Sequence, residues 1–240
     1  MARRGLRIAA LIPAYQAAAH LGEVLLDLQA LGAPPDVLVV DDGSRDATAE
    51  VARQFGARVH SFAANRGKGY ALLAGFEALA DYDGVVTLDA DGQHPPSCFP
   101  AFVAAAEAGA DLVLGARARS AAMPAGRRFA NGFSSGWTAA LAGQRVSDSQ
   151  CGYRLYGREL LSRTPITPGR YEVETEVIVR AARLGFRLAE VEVPTVYHDE
   201  KSQIRAFRDV PRIFGTLVRL SAEGIAPPPA MRRARAEGRR

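Results

Sequence analysis

The sequence predicts an α/β fold with a mainly parallel central sheet flanked by helices, and two observations carry that prediction. Short, strongly apolar runs alternate with amphipathic stretches along the first half of the chain. Polar residues then collect where those runs end, the edge at which open α/β sheets bind ligands. With 240 residues, 48% of them hydrophobic, the chain can bury a substantial core as one large domain.

The elements follow in order. "LRIAALIP" (6–13), "DVLVVDD" (36–42), "ARVHSF" (57–62), "GVVTLDAD" (84–91) and "DLVLGAR" (111–117) read as strands, several apolar enough to be buried on both faces. Residues 20–31, 46–55, 67–80 and 97–108 carry helical spacing and good helix formers. Asp42, Ser44 and Asp46 supply turn and cap chemistry before the second helix. Beyond Arg119 the pattern changes to small residues with helical potential from about Phe129. "SDSQCGYRLYGRELL" then reads as a polar loop, a short strand and a helix. "YEVETEVIVRAARLG" is a helix, "FRLAEVEVPTVY" an alternating strand, and 202–223 a basic helix whose stripe holds Ile204, Phe207, Val210, Phe214, Leu217 and Val218.

Charge is unevenly spread. Residues 201–240 hold 10 basic and 3 acidic side chains, a net of +7, while the remainder holds 20 and 23, a net of −3. A basic end on a mildly acidic body points to an anionic surface, membrane or nucleic acid, unless it is only a solubilising tail. Sparse aromatic residues in that end disfavour nucleic acid. No apolar run reaches the ~18 residues of a membrane span, and the opening residues lack a secretory pattern, so a cytoplasmic location is expected. Two cysteines, Cys98 and Cys151, are too few for a disulfide framework.

Three stretches carry chemistry. In "TLDADGQHPP" (87–96), Asp89 and Asp91 would share one side of a strand end, with Ala90 turned away and Gln93 adding a third oxygen. Two neighbouring carboxylates repel unless a cation or shared proton offsets them, and this donor set suits Mg²⁺ or Mn²⁺. The bland reading is an ordinary turn, with His94 a hydrogen-bonding residue. "NRGKGYAL" (65–72) sets Lys68 between glycines at a helix start, which favours an anion or leaves a solvated lysine. It lacks P-loop spacing. "VVDDGSRD" (39–46) offers Asp41 and Asp42 for base or ribose contacts, with Pro13, Ala14 and Tyr15 as the neighbouring wall.

In this order and spacing, "LIPAYQAAAHL", "VVDDGSRDAT", "NRGKGYAL", "LDADGQHPP", "GAR" and "DSQCGYRLY" resemble family 2 glycosyltransferases, nearest to dolichyl- and polyprenyl-phosphate mannose or glucose synthases. The resemblance covers about residues 6–215. It implies a GT-A fold and transfer of a hexose from a nucleotide-diphosphate sugar, GDP-mannose or UDP-glucose, to a polyprenyl phosphate or other lipid acceptor. By that similarity Pro13, Ala14, Tyr15, Asp41, Asp42, Lys68 and Ala90 would face the nucleotide sugar, and Asp89, Asp91 and Gln93 would hold the metal. Arg117 would approach the diphosphate, while Asp148, Gln150 and Arg154 would line the acceptor end. Many relatives carry Glu just after the segment matching Tyr15-Gln16-Ala17; here Ala18 and Ala19 follow, so the contact falls to Glu23.

On this reading residues 1–224 form one domain: a nucleotide-sugar half (1–119), an acceptor half (120–200) and a basic amphipathic helix (201–224), with a disordered tail at 225–240. The protein would act at the inner membrane face as a peripheral enzyme. An alcohol acceptor would need a general base, Asp148 or Glu174, whereas a phosphate acceptor would not. Glu172 and Glu174 otherwise read as helix N-terminal residues, and Arg154 as an internal salt bridge. A catalytically silent nucleotide-sugar-binding protein is the reading from another class.

Overall fold

The computed structural model describes residues 5–117, 125–167, 172–194 and 206–223. Seven strands form one sheet: β1 (Ile8–Ala14), β2 (Val37–Asp41), β3 (Arg58–Ser61), β4 (Gly84–Thr87), β5 (Leu112–Arg117), β6 (Arg154–Gly157) and β7 (Leu188–Val193). Their order is β3-β2-β1-β4-β6-β5-β7, and all neighbours are parallel except β6, which runs against both β4 and β5. Chain order reverses at β1, with β2 and β3 to one side and β4 onward to the other. That is where a crevice opens beyond the carboxyl ends of the strands. The sheet crosses the expected boundary between the two halves, because β5, β6 and β7 extend it without a break.

Alternation along the strands divides the core in two. Ala10, Ile12, Val39, Val86 and Val113 face α1 (Ala18–Gln29), α2 (Thr48–Gln54) and α4 (Phe99–Glu107). Ala9, Leu11, Leu38, Val40, Val85, Leu112 and Leu114 face the opposite layer. That layer contains α3 (Lys68–Ala78), α6 (Arg158–Arg163) and α7 (Glu172–Arg183). Burial on both faces is why these strands read as continuous apolar runs. A third cluster joins α5 (Ala125–Ala142), α7 and α8 (Ala206–Ala222) through Leu141, Val179, Leu217 and Leu220.

Two expectations need correction. The strand drawn through Asp91 ends at Thr87. Its pairing with β1 stops at Leu11↔Thr87, and the chain then enters a turn that closes at Gly92, with φ +68°. Asp89 and Asp91 therefore meet through a turn and not through the strand pleat. The apolar stripe of the last helix also divides: Leu217 is buried, whereas Phe214 and Val218 are 49% and 46% exposed. Ile204, residues 120–124 and the tail at 225–240 lie outside the described residues.

Candidate active site

The antiparallel entry of β6 builds the site. Arg154 opens this strand opposite Thr87, so the loop before it, 148–153, lies at the same sheet edge as the ends of β1, β2 and β4. Thr87 Oγ1 donates to the Gly152 carbonyl oxygen at 2.8 Å, fastening that loop to the chain just ahead of Asp89.

At the centre stands Lys68, the first residue of α3. Its Nζ donates to Asp89 Oδ1 at 2.6 Å and lies 3.0 Å from Glu174 Oε1. Burial alone would lower the Lys68 ammonium, but the charges of Asp89 and Glu174 outweigh it and raise its pKa well above the ordinary lysine value. Burial would likewise raise Asp89, yet the charge and hydrogen bond of Lys68 hold its carboxyl below the usual range. Asp91 moves the other way: burial first, then the charge of Asp89, push it up. Lys68 thus neutralises one carboxylate and leaves the other in an unfavourable field.

This asymmetry tests the fit of a divalent cation. Two half-buried carboxyl groups compete for charge compensation, which a dication between them would supply, and Gln93 is one residue beyond the turn. The donor set is all oxygen, as Mg²⁺ and Mn²⁺ prefer. Among the described residues no cluster of three or more histidine, cysteine or acidic side chains is arranged to hold a metal. Asp89 and Asp91 would then leave most of the coordination sphere to water and ligand oxygens. His94 is turned away, with Nδ1 3.2 Å from the Pro194 carbonyl oxygen and Nε2 against Cys151 Sγ.

Arg117 ends β5 and is gripped by Asp148: Nε donates to Oδ2 at 2.6 Å and Nη2 to Oδ1 at 3.1 Å. Burial would raise the Asp148 carboxyl, but the hydrogen bonds and charge of Arg117 keep it below its ordinary value. Asp148 therefore aims a guanidinium and is a weak base. Gln150 turns its amide nitrogen toward Ser134 and Ser149, at 3.3 Å each.

Where the sequence places a nucleoside wall, Tyr15 is 37% exposed at the end of β1, next to Gln16, whose φ of 53° and side-chain bonds to the Arg45 and Asp46 amides set the bend. Pro13 and Ala14 lie within β1 and pair with β2. Asp41 accepts from the Ser44 amide, and Asp42 accepts from the Arg66 and Gly67 amides at 2.7 and 2.8 Å. Both aspartates are nearly buried, and Asp42 holds the 65–67 loop that delivers Lys68. Ala90 is buried beneath the turn. Glu23 stands apart: with His20, Asp27, Asp91 and Pro95 it lines a cavity of about 200 Å³ that Tyr15, Asp41 and Lys68 do not border.

Arg154 is a correction. The expected acceptor contact is wholly buried and donates to the carbonyl oxygens of Cys151, Glu174 and Ser149 at 2.7, 2.6 and 2.8 Å. It is the brace of loop 148–153, since helix layers cover both faces of the sheet. Sequence reasoning also missed Glu174 as the partner of Lys68 and Gly152 as their close neighbour. A Cβ on Gly152 would collide with Asp89 Oδ2 and lie 2.8 Å from Lys68 Nζ. No local pattern signals contacts between residues so distant in the chain.

Comparison with known proteins fits this geometry. The model of the family described as "Glycosyl transferase family 2" matches residues 9–165. A dolichyl-phosphate hexose transferase of Haloferax volcanii is 33% identical over 78% of this chain and 82% of its own. An undecaprenyl-phosphate mannosyltransferase of Micrococcus luteus is 32% identical over 80% of this chain and 84% of its own. Among solved structures, glucosyl-3-phosphoglycerate synthase from Mycobacterium tuberculosis, in complex with Mn²⁺, uridine diphosphate and glucosyl-3-phosphoglycerate, superimposes with a TM-score of 0.75. It is 26% identical, over 90% of this chain and 80% of that one. The chain belongs to glycosyl transferase family 2 and is a glycosyltransferase with a GT-A fold.

Proposed function

We propose that the protein transfers a hexose, mannose or glucose, from a nucleotide-diphosphate sugar to a polyprenyl phosphate at a membrane surface, with a divalent cation at Asp89 and Asp91. The observation that carries the reading is the Arg117–Asp148 pair. Of the two carboxylates that could have served as base, Asp148 is held ionised, with a depressed pKa, by a guanidinium, and Glu174 is ion-paired with Lys68. Such a carboxylate is poorly suited to deprotonate an alcohol, whereas a phosphate acceptor arrives already ionised. The lipid-phosphate acceptors in the names of the Haloferax and Micrococcus relatives support the same acceptor class.

The chemical demand is to stabilise negative charge on the departing diphosphate. Arg117 and Lys68 bring fixed cations to the crevice, and a bound dication would add Lewis-acid stabilisation there. Tyr15, Asp41 and Asp42 form or support the nucleoside wall, and Gln150 and Asp148 order the acceptor loop.

A membrane surface fits the α5–α8 face. Trp137 makes edge-to-face contacts with Phe133 and Phe214 at centroid distances of 5.7 and 5.2 Å, and Phe133 is 54% exposed. An aromatic row that includes Phe214, within a sequence segment rich in arginine, suits an interface with anionic lipid. Among the described residues no helix is long and apolar enough to cross a membrane. The test is a panel of nucleotide sugars offered with polyprenyl phosphate and Mg²⁺ or Mn²⁺, scored for labelled lipid. One donor should give lipid-linked sugar, and no lipid product with any donor would overturn the acceptor assignment.

A further inference from the structure

We infer that Glu174 is a positioning residue that holds the Lys68 ammonium away from Asp89 when a divalent cation binds there. The inference rests on the proposed metal role of Asp89 and Asp91. Two carboxyl groups, on Asp89 and Glu174, flank one ammonium at 2.6 and 3.0 Å. Lys68 makes its shorter, aligned hydrogen bond to Asp89, while Glu174 Oε1, on a nearly buried side chain, is its second ion-pair partner at 3.0 Å. The ammonium therefore has a second buried anion within immediate reach.

A cation at Asp89 would call on that second anion. It would repel Lys68, and an ammonium displaced inside a buried site must find another anion. Lysine carries three donors on a flexible stem, so Lys68 can turn its hydrogen bond from Asp89 to Glu174 over a very short path. Glu174 is fixed for that role by its own main chain, whose carbonyl oxygen accepts from Arg154 Nη1 at 2.6 Å. The packing of Gly152 against Lys68 Nζ and Asp89 narrows the alternatives. Without Glu174, Lys68 would stay on Asp89 and compete with the metal.

The experiment is Mn²⁺ titration of the full-length chain, without donor, read by the electron paramagnetic resonance of free Mn²⁺. Thermal melts serve as the fold control. Glu174→Gln should weaken Mn²⁺ binding about tenfold, in the range of coupling between contacting residues. Glu174→Asp, which keeps the charge, should recover most of the affinity, and Lys68→Gln should tighten binding by removing the competing cation. In the Lys68→Gln background, Glu174→Gln should change affinity less than about twofold. Unchanged affinity in Glu174→Gln, or an equal loss in both backgrounds, would overturn the inference, because long-range charge acts with or without Lys68. Mn²⁺ binding absent from the wild type, or surviving Asp91→Asn, would instead overturn the metal reading and the inference with it.

Discussion

Arg154 shows how a buried charged side chain can be structural. Its guanidinium satisfies three carbonyl oxygens in a wholly buried position, so Arg154→Met leaves those acceptors without donors. The expected loss is at least about 3 kcal/mol, given ~1–3 kcal/mol for each buried group left unsatisfied. Denaturant unfolding should show a lower midpoint at unchanged m, and a change within about 0.5 kcal/mol would contradict the bracing role. Asp148 makes a pH-dependent counterpart. Its folded pKa is depressed, so the stability it contributes is present above its unfolded value of about 3.9 and is lost as pH falls through the folded value. The melting temperature of wild type should exceed that of Asp148→Asn near neutrality, and the gap should close on acidification below about pH 4. A gap that widens in acid would contradict the pairing with Arg117. At this scale the meeting of Asp89, Asp91 and Arg117 at one sheet edge was legible because they follow or end apolar runs, and that of Lys68 because glycines flank it at a helix start. Glu174 was not, since its partner Lys68 lies on another helix and only the folded sheet brings them together.

Elements were easier to read than their pairing. Alternation and length separated strands from helices, and the positions of β1, β2, β3 and β5 follow the apolar runs closely. The antiparallel insertion of β6 between β4 and β5 has no local signature, because a four-residue strand looks the same in either direction. That insertion is what brings Gly152 against Asp89. Gly152→Ala should therefore force the acceptor loop off the Lys68–Asp89 pair, costing about 1–3 kcal/mol as overpacking does and lowering turnover. Unchanged stability and rate together would show that the loop is not packed as described. Gly43 sets a second local limit. With φ of 71° and the Ala64 backbone where a Cβ would stand, Gly43→Ala should disturb the turn between β2 and α2.

For the molecule as a whole, the proposed membrane contact combines charge asymmetry with the α5–α8 aromatic face. Phe133, Trp137 and Phe214 would enter the interfacial region while basic residues meet anionic headgroups. Deleting residues after Gly224 removes 5 basic and 1 acidic side chain. It should lower affinity for anionic vesicles by an amount that shrinks as salt is added, with the nucleotide site intact. Equal vesicle binding by the full and shortened chains would reduce those residues to a solubilising extension. The central claim is transfer to a lipid phosphate with metal assistance. It is tested most directly by single-turnover transfer of labelled hexose from saturating donor, comparing polyprenyl phosphate with a polyprenol of the same length, each with and without chelator. The account predicts lipid-linked sugar only with the phosphate and only without chelator. Comparable transfer to the alcohol, or a rate indifferent to chelator, would contradict it.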